Sequence, residues 1–122
     1  MIQLRSILRP ADNCGAKALR VIHIYGGSKR TYGRIGDIVA AVVDKAITTG
    51  VVKDSEIVRA IVVRTKQALR RKDGTYVRFD DNAAVVIDKV GNPRGTRVFG
   101  PIAREIKEKG YNKIASLAKE VV

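Results

Sequence analysis

Ile38-Val39-Ala40-Ala41-Val42-Val43 is a strand-length run with no polar break. Val and Ile favour strands because their branched Cβ packs well on a pleated surface. A half-buried strand alternates apolar with polar residues, so a continuous run implies burial on both faces. Three further aliphatic runs flank it in sequence, Leu19 to Ile24, Ile57 to Val63 and Ala83 to Ile87, with Gly, Asp or Asn marking their turns. Together they predict a small closed β-barrel whose interior is core and whose outer side is covered by another part of the chain.

The chain supplies its own cover. Asp73-Gly74 is the strongest turn signal, since both residues tolerate the positive φ that a type I′ hairpin requires. Its arms, Leu69 to Lys72 and Thr75 to Phe79, carry Arg70, Arg71, Lys72 and Arg78, which predicts a protruding basic hairpin. Farther on, Gly100-Pro101 reads as a helix start with Pro101 in the first position, where its missing N–H does no harm. Ile102 and Ile106 then share a face, and Gly110 is the expected stop. A second short helix from Asn112 would align Ile114, Leu117 and Ala118. Helices this short do not hold alone, so they are expected to pack across the barrel. The 122 residues thus read as one mainly β domain, a small closed barrel over 1–99 and a two-helix lobe over 100–122.

Charge narrows the function. Lys and Arg number 24 against 12 Asp and Glu, a formal net charge of +12. The cations are also segregated. Asn13 to Gly36 carries Lys17, Arg20, Lys29, Arg30 and Arg34 with no acid. Ile57 to Lys72 carries Arg59, Arg64, Lys66, Arg70, Arg71 and Lys72, again with none. Ordinary surfaces intersperse both signs, whereas this pattern fits a polyanionic partner such as nucleic acid. Arginine predominates among the cations, as suits phosphate recognition by planar guanidinium forks. The stretch from Gly26 through Lys29, Arg30 and Tyr32 to Arg34 combines amides, hydroxyls, cations and a ring, and could follow an irregular RNA backbone. It lacks the spacing of a P-loop.

Catalytic chemistry finds little to work with. His23 is the single histidine and lies within Ile22-His23-Ile24, where a satisfied strand residue is the simpler account. Cys14 is the single cysteine, and nothing identifies a base beside it. Asp80-Asp81-Asn82 lacks a calcium-loop pattern and fits Asx-turn chemistry. One Cys and one His cannot build a structural zinc site. No enzyme activity, cofactor or metal is therefore expected. No apolar run reaches the roughly 18 residues of a spanning helix, and Met1-Ile2-Gln3-Leu4-Arg5 does not open a signal peptide. A cytoplasmic setting without membrane contact is the expectation, and the unpaired Cys14 agrees with a reducing compartment.

Ala60-Ile61-Val62-Val63, nine residues, Asp73-Gly74, four residues, Phe79, then Asn82 and Val85-Val86 resemble the hallmark of the ribosomal protein L fourteen family of bacterial type. Ala11-Asp12-Asn13-Cys14-Gly15-Ala16, Val63-Arg64-Thr65-Lys66 and Gly95-Thr96-Arg97-Val98-Phe99-Gly100-Pro101 extend the likeness over nearly the whole chain. The resemblance implies a closed five-stranded β-barrel with a small C-terminal helical lobe, and a structural constituent of the large ribosomal subunit that binds large-subunit rRNA and contributes to an intersubunit bridge with small-subunit rRNA. It implies ribosomal proteins L nineteen and L three as neighbours and a ribosome-silencing factor as a docking partner. Its docking surface carries over to Thr96, Arg97 and Lys113. One departure is Lys119, where bacterial relatives usually have Pro. On charge, the expected rRNA contacts are Lys29, Arg30, Arg34, Arg64, Lys66, Arg70, Arg71, Lys72 and Arg78. A free single-strand binder of the oligonucleotide-binding barrel type is the competing reading. The low aromatic content, 5 %, weighs against it.

Overall fold

The computed structural model describes residues 2–26 and 31–122. In chain order the strands run β1 (Ile2–Gln3), β2 (Ile7–Pro10), β3 (Leu19–Ile24), β4 (Tyr32–Gly33), β5 (Ile38–Val43) and β6 (Ile57–Arg64). Then come β7 (Leu69–Arg70), β8 (Tyr76–Val77), β9 (Ala83–Ile87), β10 (Pro101–Ile102), α1 (Glu105–Glu108), α2 (Asn112–Leu117) and β11 (Glu120–Val121). Strands β2-β3-β5-β6-β9 close into a barrel, as the aliphatic runs predicted. The run at Ile57 extends one residue further than expected, to Arg64.

The barrel's fifth strand, β2, was not legible as one because it ends in Pro10. Its parallel pairing with β9 shows why Pro10 is tolerated. The bonds come from Arg9 N–H to the Asn82 carbonyl and from Ala11 N–H to the Ala84 carbonyl, both 2.9 Å. The parallel ladder skips the one residue that has no N–H to give.

Continuous apolar runs are explained by two cores. Leu8, Val21, Val39, Ala41, Ala60, Val62, Ala84 and Val86 point into the barrel. The alternating residues Ile61, Val63, Ala83, Val85 and Ile87 form an outer cluster with Ile35, Ile102, Ile106 and Ile114. The helical lobe is therefore the predicted cover. Each fully buried Ile contributes roughly 1.5–3 kcal/mol, burial that helices of four and six residues could not generate by themselves.

Two local expectations are corrected. Pro101 does not open a helix. It lies in β10, which pairs in parallel with β11 (Pro101↔Glu120, Ile102↔Val121), and the helix begins at Glu105. The returning tail offers Ile102 a strand partner, through Val122 N–H to the Ile102 carbonyl at 2.9 Å, and this outweighs the local preference. The Asp73-Gly74 turn is also not type I′, which needs positive φ at both residues. Only Gly74 has it, at 88°. Arg71 N–H bonds the Thr75 carbonyl and Gly74 N–H bonds the Arg71 carbonyl, giving a three-residue loop with glycine in the left-handed place. Asp73 Oδ1 instead accepts from Thr75 N–H at 3.0 Å and from its hydroxyl at 2.7 Å. The stop at Gly110 holds: Tyr111 N–H reaches the Ile106 carbonyl and Gly110 N–H the Lys107 carbonyl. After α2 the chain is already extended at Ala118 (ψ 140°), and Lys119 is exposed.

Candidate nucleic-acid interface

Strand β6 delivers the chain to the basic hairpin β7–β8, whose pairing is Leu69↔Val77 and Arg70↔Tyr76. Lys66, Arg70, Lys72 and Arg78 on or beside it are exposed. Among the described residues none of the four has a carboxylate within ion-pair distance. Lys66 is fixed at its backbone, where its N–H donates to Asn82 Oδ1 at 2.8 Å, and its side chain is exposed. Arg34 joins the hairpin across a groove of about 210 Å³ lined by Ile35, Thr65, Gln67, Leu69 and Arg70. Its guanidinium lies 5.3 Å from the Tyr32 ring centroid and is held there by a cation–π contact. Arg34 N–H donates to Asp37 Oδ2 at 2.6 Å, which fixes the loop's exit. Lys29 and Arg30 lie outside the described residues.

Arg64 and Arg71 behave differently from the other candidates. Arg64 is only 8 % exposed. Its Nη1 donates to the Phe99 carbonyl at 3.1 Å, and its Nε lies 3.2 Å from Asp81 Oδ1 without forming a well-aligned hydrogen bond. Arg71 turns toward α1: its Nε donates to Glu105 Oε1 at 2.6 Å, and its Nη2 to the Val122 carbonyl. These two guanidiniums tie hairpin, lobe and tail to one another. Their contacts depended on tertiary partners far away in sequence, which a count of cations does not reveal.

A second surface forms where residues 11–14 run beside 95–99. Asn13 Oδ1 accepts from the backbone N–H of Thr96 at 2.7 Å and of Arg97 at 3.0 Å. Asn13 Nδ2 donates to Thr96 Oγ1 at 2.7 Å. Thr96 and Arg97 are thereby presented outward, both exposed. Lys113 is exposed in the first turn of α2, next to Ile114, which packs in the same cluster as Val98. Thr96, Arg97 and Lys113 are thus all exposed, the first two on one segment and Lys113 on α2. Asn13 is the residue that sequence reasoning did not single out here.

Beneath this surface lie Asp12 and Cys14, both buried. Burial raises the Asp12 carboxyl above its ordinary range, although Val86 N–H donates to its Oδ2 at 3.2 Å. Burial, aided by the Asp12 hydrogen bond, pushes the Cys14 thiol up to about 12. His23 faces outward on β3 and meets Tyr25 edge-on, with ring centroids 5.0 Å apart. Among the described residues no three His, Cys, Asp or Glu side chains converge to hold a metal ion, and no helix is long and apolar enough to cross a membrane.

The comparisons agree with this geometry. The family model described as ribosomal protein L14p/L23e matches residues 1–122. The large ribosomal subunit protein uL14 of Petrotoga mobilis is 60 % identical over 121 residues, covering 99 % of each chain. A match of that extent leaves no segment of the barrel or the lobe unaccounted for. The chain belongs to the ribosomal protein L14p/L23e family, structural proteins of the large ribosomal subunit.

Proposed function

We propose that the chain binds large-subunit rRNA through one basic surface and meets the small subunit's rRNA through another. The supporting observation is the division among its cations. Arg64 and Arg71 are consumed by the fold, whereas Arg34, Lys66, Arg70, Lys72 and Arg78 are exposed around one hairpin and groove. Cations with no carboxylate in ion-pair distance among the described residues, presented on a closed barrel, neutralise phosphates with little reorganisation, and Lys29 and Arg30 extend the same set in sequence. Thr96, Arg97 and Lys113 form the bridge surface, on which a ribosome-silencing factor docks. Ribosomal proteins L nineteen and L three lie alongside. No step in this reading is catalytic: the chain holds RNA segments in a fixed arrangement.

Salt titration of a large-subunit rRNA fragment tests the first surface. Each phosphate neutralised adds about 0.7–0.9 to the log–log slope, so the five described cations call for a steep fall in affinity between low and moderate salt. A flat response rules the electrostatic account out. Charge reversal at Arg97 tests the second surface. It is expected to impair subunit joining or silencing-factor binding while the protein still enters large subunits. Loss of incorporation would make Arg97 an rRNA or structural residue instead. Sucrose-gradient co-sedimentation with large subunits through mild salt washing separates this reading from a free single-strand binder.

A further inference from the structure

The barrel carries a second exposed feature, away from the hairpin, at the Ile57 end of β6. Register explains how it forms. A bulge in β3 between Val21 and His23 inserts Ile22, which leaves Ile22 and His23 both outward-facing. Pairing then sets His23 beside Ala40, Ala40 beside Arg59, and Arg59 beside Ile87 across four strands of the outer surface. Ala40 is the small member of that row, so a hollow of about 370 Å³ opens between its larger neighbours. Tyr25, Ile57, Arg59, Ile87 and Lys89 line it. Ala40 and Ile87 make a buried floor, while Tyr25 is 37 % and Ile57 67 % exposed at the rim. The Arg59 guanidinium lies 5.2 Å from the Tyr25 ring centroid.

Charge at the rim is unbalanced. Arg59 and Lys89 have no carboxylate within ion-pair distance among the described residues. Arg94 is paired with Glu56 at 2.9 Å. The acid at the rim, Asp88, uses its Oδ1 to accept the N–H groups of Val90, Gly91 and Asn92. An apolar floor, a tyrosine stacked with an arginine, and two uncompensated cations form a set that a nucleotide satisfies completely. Its base covers the floor and stacks on the guanidinium, and its phosphates meet the cations. An apolar protein side chain would cover the floor but leave both cations unanswered.

We propose that this slot takes one unpaired nucleotide of an RNA strand, as a site separate from the hairpin cations. The inference rests on the chain being an RNA binder and adds a base-stacking contact to it. Isoleucine-methyl NMR of the full chain, titrated with penta-adenylate, tests it. The Ile57 and Ile87 methyls should show ring-current shifts, and a fully paired RNA duplex should not produce them. Tyr25→Ala should weaken penta-adenylate binding on the order of tenfold, and Tyr25→Phe should restore it. Arg59→Lys, which keeps the charge but not the planar stack, should weaken binding as well. The methyl spectrum itself reports that each variant is folded. Unshifted Ile57 and Ile87, or Tyr25→Ala binding as tightly as the parent, overturns the slot. So does a crosslink from Tyr25 to protein rather than RNA in assembled subunits. If the slot fails while the rRNA fragment still binds with a steep salt slope, the proposed function stands. If the rRNA fragment does not bind, both fall.

Discussion

Arg64 Nη1 and Gly100 occupy neighbouring space so closely that a Cβ built on Gly100 would clash with that nitrogen. The guanidinium crosses the Gly100 backbone to reach the Phe99 carbonyl, and it brings β6 into register with the segment that leads into the lobe. A cation that reads as an rRNA contact in sequence is thus a fastening inside the fold. The pair predicts a measurable coupling. Arg64→Ala should cost about 2–3 kcal/mol, because Asp81 and the Phe99 carbonyl lose a buried partner. Gly100→Ala should also destabilise, through the clash and through its φ of 75°. Urea unfolding of the double variant should show less than the sum of the two, since removing the guanidinium removes the clash. Strict additivity would show that the two residues do not share this space.

Asn13 predicts a local effect rather than a global one. Its side chain is the acceptor for two successive N–H groups, at Thr96 and Arg97, and Asn13→Ala removes it without changing charge. Each lost bond is worth about 1 kcal/mol. Amide exchange at Thr96 and Arg97 should accelerate while exchange across β5 and β6 stays as it was. The salt slope for rRNA should not move, whereas docking on the Thr96–Arg97 surface should weaken. Unchanged exchange at those two amides would mean that other contacts hold the segment.

Strands β3, β5 and β9 were legible residue for residue because each contains a complete aliphatic run between turn signals. In β6 and β9 the inward and outward residues pack into two different cores, so burial removed the alternation that marks an ordinary strand, while β3 keeps Arg20, Ile22 and His23 exposed. Strand β2 was hidden by Pro10, and β10 by a Gly-Pro pair that imitates a helix start. Both exist because a partner remote in sequence supplies the hydrogen bonds. The same division runs through the candidate site. Excess charge was readable by counting. Which guanidinium faces solvent was not, because Arg64 and Arg71 find their partners at Phe99, Asp81 and Glu105. The slot at Tyr25 depends on a one-residue bulge, which no period in the sequence announces.

The loop after β9 predicts a pH-dependent rearrangement. The backbone N–H of Asn92, then those of Val90 and Gly91, hold the Asp88 carboxyl below its ordinary value of 3.8. A lowered carboxyl stabilises the fold above that ordinary value, and the contribution disappears as pH falls through the lower folded value. The amide resonances of Val90, Gly91 and Asn92 should therefore move together in acid, with a midpoint below 3.8. Asp88→Asn should abolish that titration. If the three amides titrate at or above the ordinary value, the loop is not held by the carboxylate.

Cys14 predicts chemical silence. The thiol is fully buried, and burial with the Asp12 hydrogen bond raises it from 9.0 to about 12. At pH 8 almost none of it is thiolate, and only thiolate attacks a disulfide reagent. Labelling of the folded protein should therefore proceed only through opening, at a rate that rises with urea in step with unfolding. The raised value also has a sign in stability. The neutral thiol is favoured in the folded state, so its contribution is intact below 9.0 and declines as pH climbs toward about 12. Cys14→Ala should lose that alkaline component while sacrificing some packing between residues 11–14 and the barrel core. Rapid labelling of folded protein at pH 8, at the rate of a free thiol, would contradict the buried Asp12–Cys14 pair.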